Sequence, residues 1–250
     1  MEQVKQLCVL YHEVRPGGSP YLYVLDSVQF EQHCKLFSKL LASPHCRVNP
    51  VVTFDDGHLS NYEVALPLLQ NYGLTARFFI TVGWTGQKPG YMGWEDLRKL
   101  HNSGQKIGAH GWSHALLTRC SPSALEMELT RSRLTLEDKL GTSITTMSLP
   151  GGRYNKRVIA ACEAAGYKQV YTSEPRMVEK PATFLVGRLN IQGDATLDWL
   201  ASLFEPAGHV LSNLQKQYRV KAAAKSLLGD RLYQKLWAVL NREEAHTDMG

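Results

Sequence analysis

The stretch VVTFDDGHLS, residues 51–60, decides how the chain is read. Val51 to Phe54 are β-branched or aromatic and favour a strand. Asp55 and Asp56 follow side by side, then Gly57. Two adjacent carboxylates repel each other and suit neither a strand nor a core. Side chains of neighbouring residues leaving a strand point in different directions. One can reach a cation while the other holds a water beside it, and a divalent ion removes the repulsion between them. A plain polar turn is the competing reading of these residues taken alone.

Outward from this point the pattern repeats. Short β-rich runs occur at 7–12, 50–54, 77–82, 106–110, 144–149, 168–172 and 184–188. Amphipathic segments lie between or after them at 27–42, 60–71, 94–103, 122–140, 155–165 and 195–204. Alternating strand and helix predicts a parallel sheet with helical crossovers. At 250 residues the expected fold is α/β, a distorted TIM-like (β/α) barrel of about seven parallel strands. An open doubly wound sheet is the alternative. Gly73, Gly104, Gly141 and Gly166 stand where helices should stop, and Asn155 where one should be capped. Residues 14–24 are rich in Pro and Gly and predict a loop over the exit of the first strand. The expected division is a barrel over 1–205 and a basic helical extension over 206–250 packed on it, with helices at about 208–241.

Charge and cysteine content narrow the function. The net charge is +5. Between Asn213 and Leu240 six basic residues face Asp230 alone, a local surplus of five that equals the whole excess. The remainder is balanced, which argues against a nucleic-acid partner. Five cysteines with no C-x-x-C spacing argue against a disulfide framework or a thiolate zinc site. The apolar run Leu7–Tyr11 is too short for a secretory leader. The expected location is cytoplasmic or peripheral to the inner membrane, with the basic C-terminal helices able to meet anionic lipid or a lipid-linked carrier.

The second informative stretch is IGAHGWSH, residues 107–114. His110 and His114, four apart at a predicted strand end, can face one point as metal ligands must. Two histidines and a carboxylate form a familiar ligand set for a catalytic zinc-like ion. T-F-D-D-G at 53–57, followed by H-G-W-S-H at 110–114, resembles the polysaccharide deacetylase family, also called the NodB-homology family or carbohydrate esterase family four. The similarity runs from about residue 7 to 191 and takes in YHEV, GWEDLRKLHNSGQKIGAHGWSH and SLPGGRYNKRVIAACEAAGY.

The resemblance implies a distorted barrel and one divalent metal ion, usually zinc, sometimes cobalt or nickel. It implies hydrolysis of acetyl groups on the N-acetylated sugars of a polysaccharide, an oligosaccharide or a lipid-linked precursor. Carried over by position, Asp55 is the general base, and Asp56, His110 and His114 are the metal ligands. Pro150, Gly151, Gly152 and Tyr154 fall in the third motif and Trp112 between the two histidine ligands, all expected at the substrate. Two departures stand out. Ser148 occupies the position where the family usually has an arginine, so Arg188 or Arg153 is expected to orient Asp55. No histidine ends the seventh strand, so the proton donor to the leaving amine is expected to be His12, Tyr154 or water acting with Asp55. Trp84 and Tyr91 are further candidates for stacking on sugar, whereas Trp94 is read as a helix anchor. Competing functions are an amidase or imidase acting on a small non-sugar amide, and a non-catalytic sugar-binding protein.

Overall fold

The computed structural model describes residues 4–179, 183–205 and 209–220. The chain divides into two units, Met1–Gly208 and His209–Gly250. In the first unit the strands are β1 (Lys5–Tyr11), β2 (Glu13–Arg15), β3 (Val24–Asp26), β4 (Val48–Phe54), β5 (Ala76–Ile80), β6 (Lys106–Ala109), β7 (Thr146–Ser148), β8 (Gln169–Tyr171), β9 (Leu185–Val186) and β10 (Arg188–Asn190). The helices are α1 (Ser27–Ala42), α2 (Leu66–Asn71), α3 (Trp94–Asn102), α4 (Pro122–Glu126), α5 (Ser132–Leu140), α6 (Lys156–Ala164) and α7 (Leu197–Ser202). A π-helical turn, Asn61–Ala65, leads into α2, and another, Met127–Arg131, joins α4 to α5.

Eight strands form one parallel sheet in the order β10-β1-β4-β5-β6-β7-β8-β9. Its two edge strands, β9 and β10, are consecutive in the chain and separated by Gly187 alone. One polypeptide run therefore pairs first with β8 and then with β1, and the barrel closes through it. This accounts for the seven strands expected from the sequence: the seventh is divided between two neighbours. Gly187 is needed because a Cβ there would stand 2.5 Å from the Glu174 carbonyl and 2.7 Å from Arg176 Cβ.

Period-two alternation sorts the side chains. Tyr11 and Phe54 point outward onto Phe30 of α1, with ring centroids 5.2 and 5.6 Å away. Cys8, Phe79, Tyr171 and Val186 point inward and pack together with Val178 and Val51. Gly108 lets the Phe79 ring fill the lumen, since a Cβ there would lie 2.6 Å from it. The same parity carries Thr53 and Asp55 inward at the C-terminal end of β4, where a parallel barrel builds its site.

Helix boundaries follow the local signals. Gly73, Gly104, Gly141 and Gly166 all take positive φ at helix ends, and the Asn155 side chain accepts a hydrogen bond from Val158 N at 3.0 Å. Residues 14–24 depart from the expected plain loop, because β2 and β3 pair in parallel at its two ends. Val14 and Val24 are buried there, which is what ordering the loop requires. In the second unit residues 210–220 are helical; the rest of the basic segment expected over 208–241 lies outside the described residues. No described helix is long and apolar enough to cross a membrane.

Gly187→Ala should lower stability by about 1–3 kcal/mol, the usual cost of forcing an atom into filled space. The urea unfolding midpoint measures it, and a midpoint equal to wild type would contradict this account of barrel closure.

Candidate active site

Asp55 ends β4 and Asp56 turns the chain out of it. Asp56 has φ +73°, a left-handed conformation that aspartate tolerates better than most residues. That turn gives the two carboxylates different surroundings. Asp55 is 3% exposed and meets Arg188, itself 1% exposed. Arg188 Nη1 donates to Asp55 Oδ1 at 2.7 Å and Nη2 to Oδ2 at 2.8 Å. Ser148 Oγ donates to Oδ2 at 2.9 Å. Arg188 also reaches Thr172 O, Thr53 Oγ1 and Ser148 Oγ at 3.2, 3.3 and 2.6 Å. All five guanidinium N–H donors therefore have partners. Burial pushes the Asp55 carboxyl up, but the Arg188 charge and hydrogen bonds, with His110 nearby, hold it well below the usual carboxylate range. Of the roughly four lone-pair positions of a carboxylate, three are taken, and the open one is on Oδ1.

Asp56 faces His110 and His114. Its Oδ1 lies 3.4 Å from Nε2 of each ring, and the three ligand atoms lie within 4.8 Å of one another. His110 Nδ1 is 2.8 Å from the Ser148 carbonyl. A carbonyl only accepts, so Nδ1 carries the proton and Nε2 presents its lone pair to the centre. Burial lowers the pKa of both imidazoles, and for His114 the neighbouring His110 adds to it, which favours the neutral form a metal needs. Asp56 Oδ1 is buried with no hydrogen-bond partner. Burial and then Asp55 raise the Asp56 pKa, against the pull of His12 and His114. A buried carboxylate oxygen left unpaired between the Nε2 atoms of two imidazoles fits a divalent cation.

The loop carrying the histidines is fixed from outside. Glu128, on the π-helical turn, accepts Trp112 N at 2.7 Å and Ser113 N at 3.0 Å through Oε2, and Ser113 Oγ at 2.5 Å through Oε1. Gly111 must be glycine here: φ is +78°, and a Cβ would sit 2.8 Å from Glu128 Oε2. Trp84 stacks on His114 with centroids 5.3 Å apart.

A cleft of about 510 Å³ opens above these groups, lined among others by His12, Tyr21, Tyr23, Tyr91 and Asn190. Of the residues expected from the sequence, His12, Asp55, Asp56, Tyr91, His110, His114, Gly151 and Gly152 line it. Arg188 lies beneath, on Asp55. Trp112 is absent from this lining. Its ring lies under the Arg131 guanidinium, 3.8 Å from the ring centroid, and its carbonyl accepts Gly83 N at 2.8 Å. Tyr154, 37% exposed, and Pro150, buried 3.7 Å from where a Gly111 Cβ would stand, are also absent from the lining. Ser148, expected at a strand end as a departure from the motif, hydrogen-bonds both Asp55 and Arg188, and Glu128 is an addition to the residues expected from the sequence. The one signal for Glu128 was an acidic residue on the apolar side of a helix.

Comparison with known proteins agrees with the motifs. Residues 47–170 match the family model for polysaccharide deacetylase, and the chain belongs to that family. Over 125 residues it is 31% identical to YxkH of Bacillus subtilis, whose name is that of a polysaccharide deacetylase, covering 50% of this chain and 44% of YxkH. Over 118 residues it is 30% identical to a chitin deacetylase of Pestalotiopsis, covering 46% of this chain and 38% of that one. The matches thus span less than half the length of either curated relative. The deacetylase PplD of Streptococcus pyogenes, solved with acetate, superposes with a TM-score of 0.72 over 82% of this chain and 100% of its own, at 19% identity. At that identity the likeness is one of fold.

Arg188→Leu strands a buried carboxylate and should cost about 3–5 kcal/mol at pH 7. The pH dependence has a definite sign. In wild type the depressed Asp55 pKa stabilises the fold above the unfolded value of about 3.9 and the benefit fades as pH falls through it. In the variant burial, the largest influence on this carboxyl, is opposed only by His110, His12 and the Ser148 hydrogen bond and raises that pKa, so the deficit should shrink towards acid. Urea unfolding in chelator at pH 7 and pH 5 tests this; a deficit that stays constant or grows would rule it out.

Proposed function

We propose that this protein is a metal-dependent hydrolase that removes acetyl groups from N-acetylated sugars. The observation that carries the reading is the pairing of a cation-type centre, Asp56–His110–His114, with a second carboxylate fixed beside it by Arg188 and Ser148. Family membership supplies the reaction class.

A divalent cation held by Asp56, His110 and His114, most simply zinc, with cobalt or nickel also suited, supplies Lewis acidity towards an acyl oxygen and acidifies water. The protein's own groups do the rest. Asp55 stays ionised and offers one open lone pair, on Oδ1, to the proton of the attacking water. Arg188 and Ser148 hold that carboxylate in one orientation, so little reorganisation remains at the moment of reaction. The pairing that keeps Asp55 ionised also makes it a weak base, so turnover depends on the cation.

His12 is the one imidazole in the cleft lining outside the ligand set. Its Nδ1 is buried without a partner, and its ring packs edge-on against Tyr23 at 4.8 Å. Asn61 Nδ2 donates to the His12 carbonyl at 2.7 Å and fixes the backbone there. Burial lowers the His12 pKa and favours its neutral ring; we assign His12 as the group that receives the proton Asp55 takes from water and passes it to the leaving nitrogen, so that both carboxylate and imidazole return to their starting forms. Tyr154 is poorly placed for that role. Three tyrosines in the lining, Tyr21, Tyr23 and Tyr91, with Tyr21 43% exposed, suit sugar rings better than a small sealed amide or imide pocket.

Asp55→Asn should retain about one equivalent of metal and lose about 10²–10⁴-fold in acetate release, the usual share of a general base. Asp56→Asn should lose the metal, and chelation of wild type should abolish turnover until zinc is restored. Metal content is read by elemental analysis, and acetate on chitin oligomers and N-acetylglucosamine. Wild type that binds metal yet releases no acetate from either would sink the hydrolase reading; wild type that binds no metal would sink the ligand assignment.

A further inference from the structure

Glu128 stands where an acidic residue is costly. Leu125, Leu129, Ser132 and Leu136 form the buried stripe running from α4 through the π-helical turn into α5. Glu128 lies in that stripe, 7% exposed. A carboxylate taken out of water needs donors. Its donors are Trp112 N, Ser113 N and Ser113 Oγ, all from the short loop between His110 and His114.

The two imidazoles at the ends of this loop are placed in different ways. His110 directly follows β6, and its own ring is held by the Ser148 carbonyl. The His114 side chain is 36% exposed, and its backbone is left-handed at φ +63°. A residue other than glycine keeps that conformation only where its surroundings insist on it. What places His114 is therefore the grip on the backbone just before it.

That grip comes from two sides. Thr81 N, Val82 N and Gly83 N donate to Asp56 O, Gly111 O and Trp112 O at 3.3, 3.1 and 2.8 Å. Glu128 takes the N–H groups of the same loop. Its own carrier is fixed as well. Within the π-helical turn Ser132 Oγ donates to Glu128 O at 2.6 Å and Tyr167 Oη to Leu129 O at 2.9 Å. Turns of this type recur at functional sites, and this one aims Glu128 at the loop.

We propose that Glu128 is a positioning residue for the cation: it holds His114 in the ligand trio through the length and direction of its side chain, not through its charge. This role rests on the assignment of Asp56, His110 and His114 as ligands and is independent of the reaction. Chemistry separates length from charge. In Glu128→Gln the carbonyl accepts the two N–H groups and the amide donates to the Ser113 hydroxyl, which can also accept. Glu128→Asp keeps the charge but is one methylene short, and a fixed helix cannot follow it into hydrogen-bond reach.

The test is metal binding by the full chain without substrate. Zinc affinity is measured by calorimetry, and cobalt binding by visible absorption, which reports ligand number and geometry. Glu128→Asp and Glu128→Ala should bind zinc about 10–100-fold more weakly than wild type, the usual loss when the partner that orients a ligand is removed. Their cobalt spectra should change. Glu128→Gln should keep an affinity and a spectrum close to wild type. Urea midpoints in chelator show whether each variant folds, and the Asp and Gln pair decides even where Ala does not. Wild-type affinity in Glu128→Asp overturns the role, and so does a loss in Glu128→Gln as large as that in Glu128→Asp, which would make charge the cause. Wild type that binds no metal removes the ligand assignment together with this role. Wild type that binds metal without releasing acetate removes the hydrolase reading and leaves the comparison of Asp with Gln intact.

Discussion

The structure turns on a buried ion pair, Arg188 with Asp55. Taking both charges out of water costs several kcal/mol each, and the attraction between them offsets this only when every remaining hydrogen-bonding group is satisfied. Here it is. Arg188 uses all five donors, and its guanidinium lies over Phe79 and Tyr171, 5.3 and 5.8 Å from their centroids. The acceptors come from β4, from the end of β7 and from the residue after β8, while the donor sits on β10. One side chain thus ties together strands that are distant in sequence, at the seam where β9 and β10 close the barrel. Such a pair is weak evidence for extra stability. It is better evidence for placement, because an Asp55 so held has one orientation.

The neighbouring carboxylate has the opposite fate. Asp55 accepts three hydrogen bonds, whereas Asp56 Oδ1 has none. The difference arises in a single left-handed residue, Asp56 at φ +73°. His114 is the only other non-glycine described with positive φ, at +63°. Both strained residues belong to the trio proposed to hold the cation. Backbone strain of this kind costs about 1–3 kcal/mol and persists where surrounding structure insists on it. Glu128, Trp84 and Gly111 are the surrounding structure for His114.

Much of this was legible in the sequence, because the signals were local. Strand runs with period two and glycines at positive φ report on their own neighbourhoods, and α1 falls at 27–42 as its apolar spacing dictates. That Asp56, His110 and His114 come together was legible through spacing within two short motifs. What was not legible depends on closure. Whether Arg153 or Arg188 reaches Asp55 is decided by which strand completes the barrel, and no window of sequence contains both partners. The division of the last strand at Gly187 is hidden for the same reason. Position between two histidines does not set direction either: the Trp112 ring lies under Arg131 and its backbone serves the loop.

Ser148 shows how a departure from a motif can keep its chemistry. A guanidinium that orients Asp55 must occupy the space between β4, β7 and β10, but nothing requires it to originate on β7. With Arg188 already there, an arginine at 148 would bring a second buried cation into the same volume, with one carboxylate to neutralise both. A small hydroxyl is the compatible partner: it accepts from Arg188 at 2.6 Å and donates to Asp55 at 2.9 Å. Its backbone carbonyl meanwhile fixes the His110 tautomer. Ser148 and Arg188 are therefore two halves of one solution, and reading either alone makes the motif look broken. Position 148 also touches both the carboxylate that is satisfied and the imidazole that must stay free, so its small size serves both halves of the site at once.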